Sequence, residues 1–199
     1  MTRTRLVVTV LAPVLLCAAC GDSRSAALSD SSAGTKGAAT VGADTIADRH
    51  AGPMDLTEHG IGPVRVGMTL AEVAGATSAG IRLVGTDSTE CSYLSWRDGP
   101  PGVLIMAEGG RVVRIDVQNP AITTSEGIKI GSTEAEVQQR YTGRVEVQPH
   151  KYTDGHYLVV TPRRPTDSNL RIVFETDGQK VETFRGGRVP QVQYVEGCS

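Results

Sequence analysis

The sequence predicts an α+β protein in which two tandem repeats, each a short helix followed by a 3–4-stranded antiparallel meander, come after a disordered N-terminal tether. One observation is an internal repeat: residues 127–137 read GIKIGSTEAEV, and residues 63–73 read PVRVGMTLAEV. The other is that each copy is followed by short runs with alternating apolar residues, separated by Gly, Pro, Asp or Asn, which is typical of strands joined by turns. We therefore assign the first repeat to residues 56–125 and the second to residues 126–199.

Each copy of the repeat contains a helix start. Thr69 is followed three positions later by Glu72, and Thr133 is followed in the same way by Glu136. This spacing is a capping box, in which the Thr hydroxyl accepts from a backbone N–H of the first turn and the Glu carboxylate accepts from the Thr backbone N–H. Each copy thus predicts a short extended piece followed by a helix.

Alternating apolar residues predict four strands in each repeat. In the first repeat they are residues 81–84, 91–96, 103–107 and 112–117. In the second repeat they are residues 145–147, 156–161, 170–175 and 181–185, and a last short strand is expected at residues 191–195.

The first 19 residues have the pattern of a targeting segment. Arg3 and Arg5 provide a basic start, and the apolar run after them is too short to span a bilayer. Small residues then lead into Cys20, so the segment resembles the signal peptide of a bacterial lipoprotein, whose cysteine is lipidated with a diacylglycerol and becomes the mature N-terminus. This implies an exported protein that is lipid-anchored in the cell membrane or the outer membrane. The alternative is a redox C-x-x-C motif of Cys17 and Cys20, which would need a βαβ context.

Residues 20–55 are expected to form a flexible linker. They are rich in Ser, Ala, Gly, Thr and Asp and contain no aromatic residue. Such a segment cannot bury enough apolar surface to offset the entropy lost on ordering.

The net charge of the mature chain indicates which classes of partner to expect. Removing residues 1–19 deletes Arg3 and Arg5 from the 20 basic residues and leaves the 22 acidic ones, so the net charge becomes −4. Nucleic-acid surfaces are strongly basic, so we expect no nucleic-acid partner.

Two cysteines remain once Cys17 and Cys20 belong to the signal and lipid site: Cys91 and Cys198. In an exported domain they are expected to form a disulfide, which would tie the first repeat to the C-terminus. The alternative is two free thiols. A nucleophilic Cys91 would need a positioned His base, and nothing in the sequence places one.

The densest polar and aromatic cluster lies in residues 149–157. As a metal site it would offer His150, Asp154 and His156, but this set matches no standard ligand pattern, so we expect no metal and no cofactor. The other interpretation is a loop that enters a strand with a half-exposed His–Tyr pair. Aromatic residues dominate binding hot spots. The candidate binding residues are therefore Trp96, His150, Tyr152, His156 and Tyr157.

The motif Gly-x-Thr-x-x-Glu-Val at the head of each repeat carries a resemblance to known proteins. Over roughly residues 60–187 the chain resembles the SmpA/OmlA (BamE-like) lipoprotein domain and the tandem units of β-lactamase inhibitory protein. BamE-like domains are outer-membrane assembly partners, so this resemblance implies binding to an envelope protein. The inhibitor clamps an enzyme with a concave sheet, so the second resemblance implies an inhibitory role.

These observations predict a lipid-anchored, non-catalytic cell-envelope binding protein that engages a protein or another envelope component. The sequence contains no nucleophile elbow, P-loop, HExxH or dinucleotide fingerprint, so we do not expect an enzyme. An inhibitor or ligand-sequestering protein like the β-lactamase inhibitor is the alternative, and an envelope hydrolase is the third interpretation. The expected partners are the bilayer, through the diacylglycerol on Cys20, and a protein of the envelope.

Overall fold

A computed structural model describes residues 52–85 and 90–198 of the chain. In chain order the elements are β1 (Leu56–Thr57), β2 (Gly60–Ile61), β3 (Val64–Arg65), α1 (Leu70–Ala76), β4 (Ile81–Val84), β5 (Cys91–Trp96), β6 (Val103–Glu108), β7 (Arg111–Val117), α2 (Glu134–Arg140), β8 (Val145–Pro149), β9 (His156–Val160), β10 (Leu170–Thr176) and β11 (Val181–Arg188). Short 3-10 helices lie at Pro165–Asp167 and Gln191–Gln193.

Eight of the strands form one antiparallel sheet, in the order β4-β5-β6-β7-β11-β10-β9-β8. The two sets of four consecutive strands join where β7 pairs with β11, with Val117 opposite Phe184 and Ile115 opposite Gly186. Val, Ile, Leu and Phe recur at alternate positions of these strands, and such residues favour a pleated, buried surface.

One face of the sheet packs against both helices, and we call it the helix face. Val73 of α1 and Val137 of α2 are fully buried in the same apolar cluster as Ile105, Ile115 and Phe174 of the sheet. A single core therefore spans the whole sheet from one helix to the other.

Both predicted helix starts are confirmed. The Thr69 hydroxyl accepts from the Glu72 N–H at 3.3 Å while the Thr69 N–H donates to the Glu72 carboxylate at 2.7 Å. Thr133 and Glu136 repeat this geometry at 3.2 and 2.7 Å. These hydrogen bonds lower the pKa of both Glu side chains, because the charged carboxylate is the better acceptor.

The predicted α+β fold of two helix-plus-meander repeats is wrong. Within residues 52–85 and 90–198 the protein is mostly β, with two helices of seven residues each and eleven strands in an eight-stranded and a three-stranded sheet. The repeat is a local sequence pattern, and it does not predict that the edge of β7 pairs with the edge of β11. Pairing those edges merges all eight strands into one sheet over one core, so no separate repeat units remain.

The last strand predicted, at residues 191–195, is also wrong, because this segment is a 3-10 helix followed by irregular chain. Its backbone carbonyls accept from side chains instead of from a neighbouring strand. Arg114 Nη1 donates to Tyr194 O at 2.6 Å, and Arg185 Nε donates to Val192 O at 2.7 Å. Val192 itself is fully buried against the second face of the sheet, which we call the C-terminal face.

The predicted disulfide is confirmed. Cys91 and Cys198 are joined, with their Cα atoms 5.5 Å apart and 107 positions apart in the sequence. The bond fixes the end of the C-terminal segment to β5, so residues 189–198 stay across the C-terminal face.

The three-stranded sheet of β1, β2 and β3 lies over the middle of the helix face. Gly186 of β11 permits this close approach, because a Cβ atom there would stand 2.6 Å from the Thr57 carbonyl oxygen. Leu56, Ile61 and Val64 fill the space beneath it and are fully buried. The small sheet therefore forms a fixed wall beside the strands of the second set.

Several predictions concern parts of the chain outside the described residues. These are the signal peptide at residues 1–19, the lipidation of Cys20, and the linker at residues 20–55 apart from its last four positions. Among the residues that are described, no helix is long and apolar enough to cross a membrane.

Candidate binding cleft

An open cleft of ≈ 620 Å³ lies on the helix face. One wall is formed by residues 57–65 of the small sheet, and the opposite wall by residues 162–167, which connect β9 to β10. Tyr141, Val160 and Ile172 contribute to the floor. This volume lies within the range of ligand pockets in proteins.

The cleft is lined by charged side chains of both signs. The basic ones are Arg65, Arg144, Arg163 and Arg164. The acidic ones are Asp55, Glu58, Glu126 and Asp167. Equal numbers of each sign leave the cleft nearly neutral as a whole.

Arg144 is the most enclosed of these basic residues, with a side chain that is 16% exposed. Its Nη1 donates to Thr161 O at 3.1 Å, and its guanidinium lies 5.2 Å from the centre of the Tyr141 ring. Its Nε and Nη2 atoms are buried and have no hydrogen-bond partner. Burial lowers the pKa of this guanidinium, and the positive charge of Arg163 lowers it further.

Glu126 lies between two of the arginines. Its Oε1 atom is 3.7 Å from Arg144 Nη2 and 3.4 Å from Arg163 Nη2. Both distances exceed those of good charge-assisted hydrogen bonds, which are about 2.7–2.9 Å. Glu126 thus accepts one long hydrogen bond from Arg163 and compensates the charge of Arg144 without accepting a hydrogen bond from it.

Tyr141 fixes the floor of the cleft beneath these charges. Its hydroxyl donates to Thr124 Oγ1 at 2.8 Å, and its ring packs 5.7 Å from that of Phe174. Burial raises the pKa of this phenol, and the nearby charges of Glu126 and Glu58 raise it further. Tyr141 therefore stays neutral and acts as a rigid surface.

An acidic group lies where the two walls meet, with Glu58 and His59 on the small sheet and Asp167 on the connection from β9 to β10. One carboxylate oxygen each from Glu58 and Asp167 and one ring nitrogen of His59 all lie within 4.8 Å of one another. His59 Nε2 is 3.1 Å from Asp167 Oδ2. The turn between β1 and β2 presents Glu58 and His59, and the His59 N–H donates to Thr57 Oγ1 at 3.2 Å. One imidazole and two carboxylates are a set that could also hold a divalent ion.

Four of the sequence-predicted binding residues lie near the tip of the β8–β9 hairpin, away from this cleft: His150, Tyr152, His156 and Tyr157. His150 Nε2 bonds Glu175 Oε1 at 2.9 Å, and Glu175 Oε2 accepts from Arg185 Nη1 at 2.8 Å. His150 also stacks on Tyr157, with ring centres 4.5 Å apart. Burial alone would raise the pKa of Glu175, but the bonds from His150 and Arg185 outweigh it and lower that pKa.

Tyr152 is the most exposed of the predicted residues, at 61%. Its hydroxyl bonds Glu196 of the C-terminal segment, and Lys151 lies 4.9 Å from its ring centre. His156 Nδ1 instead bonds Glu134 of α2 at 2.8 Å. Tyr157 is buried, so of this group mainly Tyr152 is available to a partner.

The structure does not bring Trp96 to the others. Trp96 is on β5, and four strands separate β5 from β9 in the sheet. Its ring packs against the main core and leaves no room for a Cβ atom on Gly99. Trp96 and Tyr152 therefore do not lie side by side, and the binding role of each stays a prediction.

The sequence did not predict the cleft residues, because the contacts that bring them together join residues far apart in the chain. His59 and Asp167 are 108 positions apart, and the Arg163–Glu126 pair is 37 positions apart. The one local signal is the Arg163-Arg164-Pro165 turn, which alone resembles any solvated basic turn.

Comparisons with known proteins give little further information. No protein-family model and no curated protein matches the sequence. Among solved structures, the crystal structure of the uncharacterized protein yfeY from Escherichia coli is similar over 68% of this chain and 100% of that chain, with 16% identity and a TM-score of 0.44. A similarity of this size supports no statement about the fold or the function of the chain.

Proposed function

We propose that this protein is a lipid-anchored, non-catalytic binding protein of the cell envelope, and that the cleft on the helix face is where it contacts its partner. The observation that carries the proposal is the cleft itself: a ≈ 620 Å³ opening with four arginines and four carboxylates over a rigid apolar floor. Arginine is enriched at binding surfaces, and complementary charges give such surfaces their specificity.

The supposed inhibitor function receives less support from the geometry. An inhibitor that clamps an enzyme with an open sheet needs an uncovered sheet face. Here α1, α2 and the small sheet lie on the helix face, and residues 189–198 lie across part of the C-terminal face. We therefore place the partner in the cleft instead of on the sheet.

The anchor has a direct test. Changing Cys20→Ser should move the full chain from the membrane fraction to the soluble fraction, and mass spectrometry of the wild type should find a diacylated Cys20. An unmodified N-terminus beyond residue 20 in the wild type would exclude the anchor.

The cleft is tested with charge reversal. The full chain, bound in membranes, would be used to capture partners from an extract of the cells that make it. R65E/R163E should abolish the capture of a partner, because both arginines are exposed at the cleft. The matched control is R97E/R188E, which reverses two exposed arginines that do not line the cleft. Equal capture by the two double variants would contradict the proposed site.

A further inference from the structure

The edge of the Arg144 guanidinium that carries Nε and Nη2 has no hydrogen-bond acceptor among the described residues. Nε and Nη2 lie on the same side of the planar group, and two parallel N–H donors in this arrangement match the two oxygens of a carboxylate. Both atoms are buried and lack a hydrogen-bond partner, while Nη1 is held by Thr161 O at 3.1 Å. Leaving a buried charged donor unpaired is costly, so this edge requires an acceptor.

Glu126 shows what kind of acceptor fits there. Its carboxylate approaches both Arg144 and Arg163, at 3.7 and 3.4 Å, but is too far from Arg144 for a hydrogen bond. Its side chain is 32% exposed, so it can rotate out of the cleft. Glu126 therefore occupies the place of a carboxylate without making the full set of bonds.

The same cleft also contains negatively charged groups that can bind a positive group of a ligand. Glu58 and Asp167 bring two carboxylates within 4.8 Å of each other, beside His59. No hydrogen bond or ion pair joins Glu58 to another described residue. Its negative charge nevertheless acts on Tyr141 and Arg144, so the acidic and basic groups are within electrostatic range of each other. An ammonium group has three donors and would satisfy both carboxylates.

We infer that the cleft takes a zwitterionic ligand, an amino acid or a short peptide, with its carboxylate on Arg144 and Arg163 in place of Glu126 and its ammonium group on Glu58 and Asp167. This inference rests on the proposed function, because it names the ligand class of the same cleft. A cleft of ≈ 620 Å³ has room for a short peptide.

The ligand class is tested by calorimetric titration of the full chain in mild detergent with alanine, dialanine and trialanine. At least one of the three should bind at a single site with a Kd below about 1 mM. N-acetylation or C-amidation of that peptide removes one charge and should weaken binding about tenfold or more, since hydrogen bonds to charged groups are the strong ones. No saturable binding by any of the three would overturn the inference, as would equal binding by the N-acetylated or C-amidated peptide.

Substitutions test which side chains of the cleft bind the peptide. R144M and R163M should each weaken the peptide about tenfold or more, while R97M, outside the cleft, should leave its affinity unchanged. E126Q should tighten binding severalfold, because it removes the internal carboxylate that competes with the ligand. A role of Arg144 in stability alone would not produce this gain. Weaker binding by E126Q, in a variant that melts like the wild type, would contradict the displacement.

The outcomes separate this inference from the proposed function. If R65E/R163E abolishes partner capture but no peptide binds, the cleft is a binding site and the ligand class is wrong. If peptides bind and no partner is captured through the cleft, the ligand class stands and the protein-partner role is wrong.

Discussion

The Cys91–Cys198 bond should supply a large part of the stability of the domain. Its residues are 107 positions apart. The chain-entropy model then gives a stabilisation of about 4.8 kcal/mol at 25 °C, because the crosslink restricts the unfolded chain. We expect a loss of about 3–5 kcal/mol in the C91S/C198S double variant, which leaves no stray thiol at these positions. The folded structure should persist, since Val192 is buried and Arg114 and Arg185 still hold the segment.

Calorimetry measures this directly. At about 3 °C per kcal/mol for a domain of this size, the double variant should melt about 9–15 °C below the oxidised wild type. Reducing the wild type should give the same lowered melting temperature, which is the control for the serine substitutions. A double variant that melts within about 3 °C of the wild type would refute the entropic argument, because the loop length fixes the expected effect.

Two further predictions concern the caps and the buried charges. T69A and T133A should each lower the free energy of unfolding by about 1 kcal/mol within one shared melting transition, because Val73 and Val137 belong to one core. As the control, T142A removes a hydroxyl that donates to the Gln139 carbonyl and should change the free energy of unfolding by less than about 0.5 kcal/mol. Two separate melting transitions would contradict the single core. The bonds from His150 and Arg185 lower the pKa of Glu175, so its contribution is present above the ordinary value of 4.5 and is lost as the pH falls below it. In denaturant titrations E175Q should therefore be less stable than the wild type by about 1–3 kcal/mol at pH 7, and this difference should shrink below pH 4.5. A stability difference that grows below pH 4.5 would contradict the expected pH dependence.

The sequence was informative where a structural feature has a local cause. The capping boxes at Thr69 and Thr133 are contained in four residues, and the strand at Ile81–Val84 follows from its own composition and turns. The Cys91–Cys198 pair could be predicted because few cysteines were left to combine. In each case the evidence lies in the residues themselves.

The errors have non-local causes. Nothing in 111–117 or 181–188 states that these two strands pair, yet that pairing turns two expected repeats into one mostly β sheet. The segment after Pro190 has an alternating pattern, but Arg114 and Arg185 satisfy its carbonyls in place of a neighbouring strand. The cleft likewise depends on His59 meeting Asp167 across the fold, and no local pattern records that contact.

The central claim is that the cleft between residues 57–65 and 162–167 binds the partner. Hydrogen–deuterium exchange of the full chain, alone and with the captured partner, tests it most directly. We expect new protection in those two segments and unchanged exchange at residues 150–154, around Tyr152. Protection confined to residues 150–154, with the cleft segments unchanged, would contradict the claim.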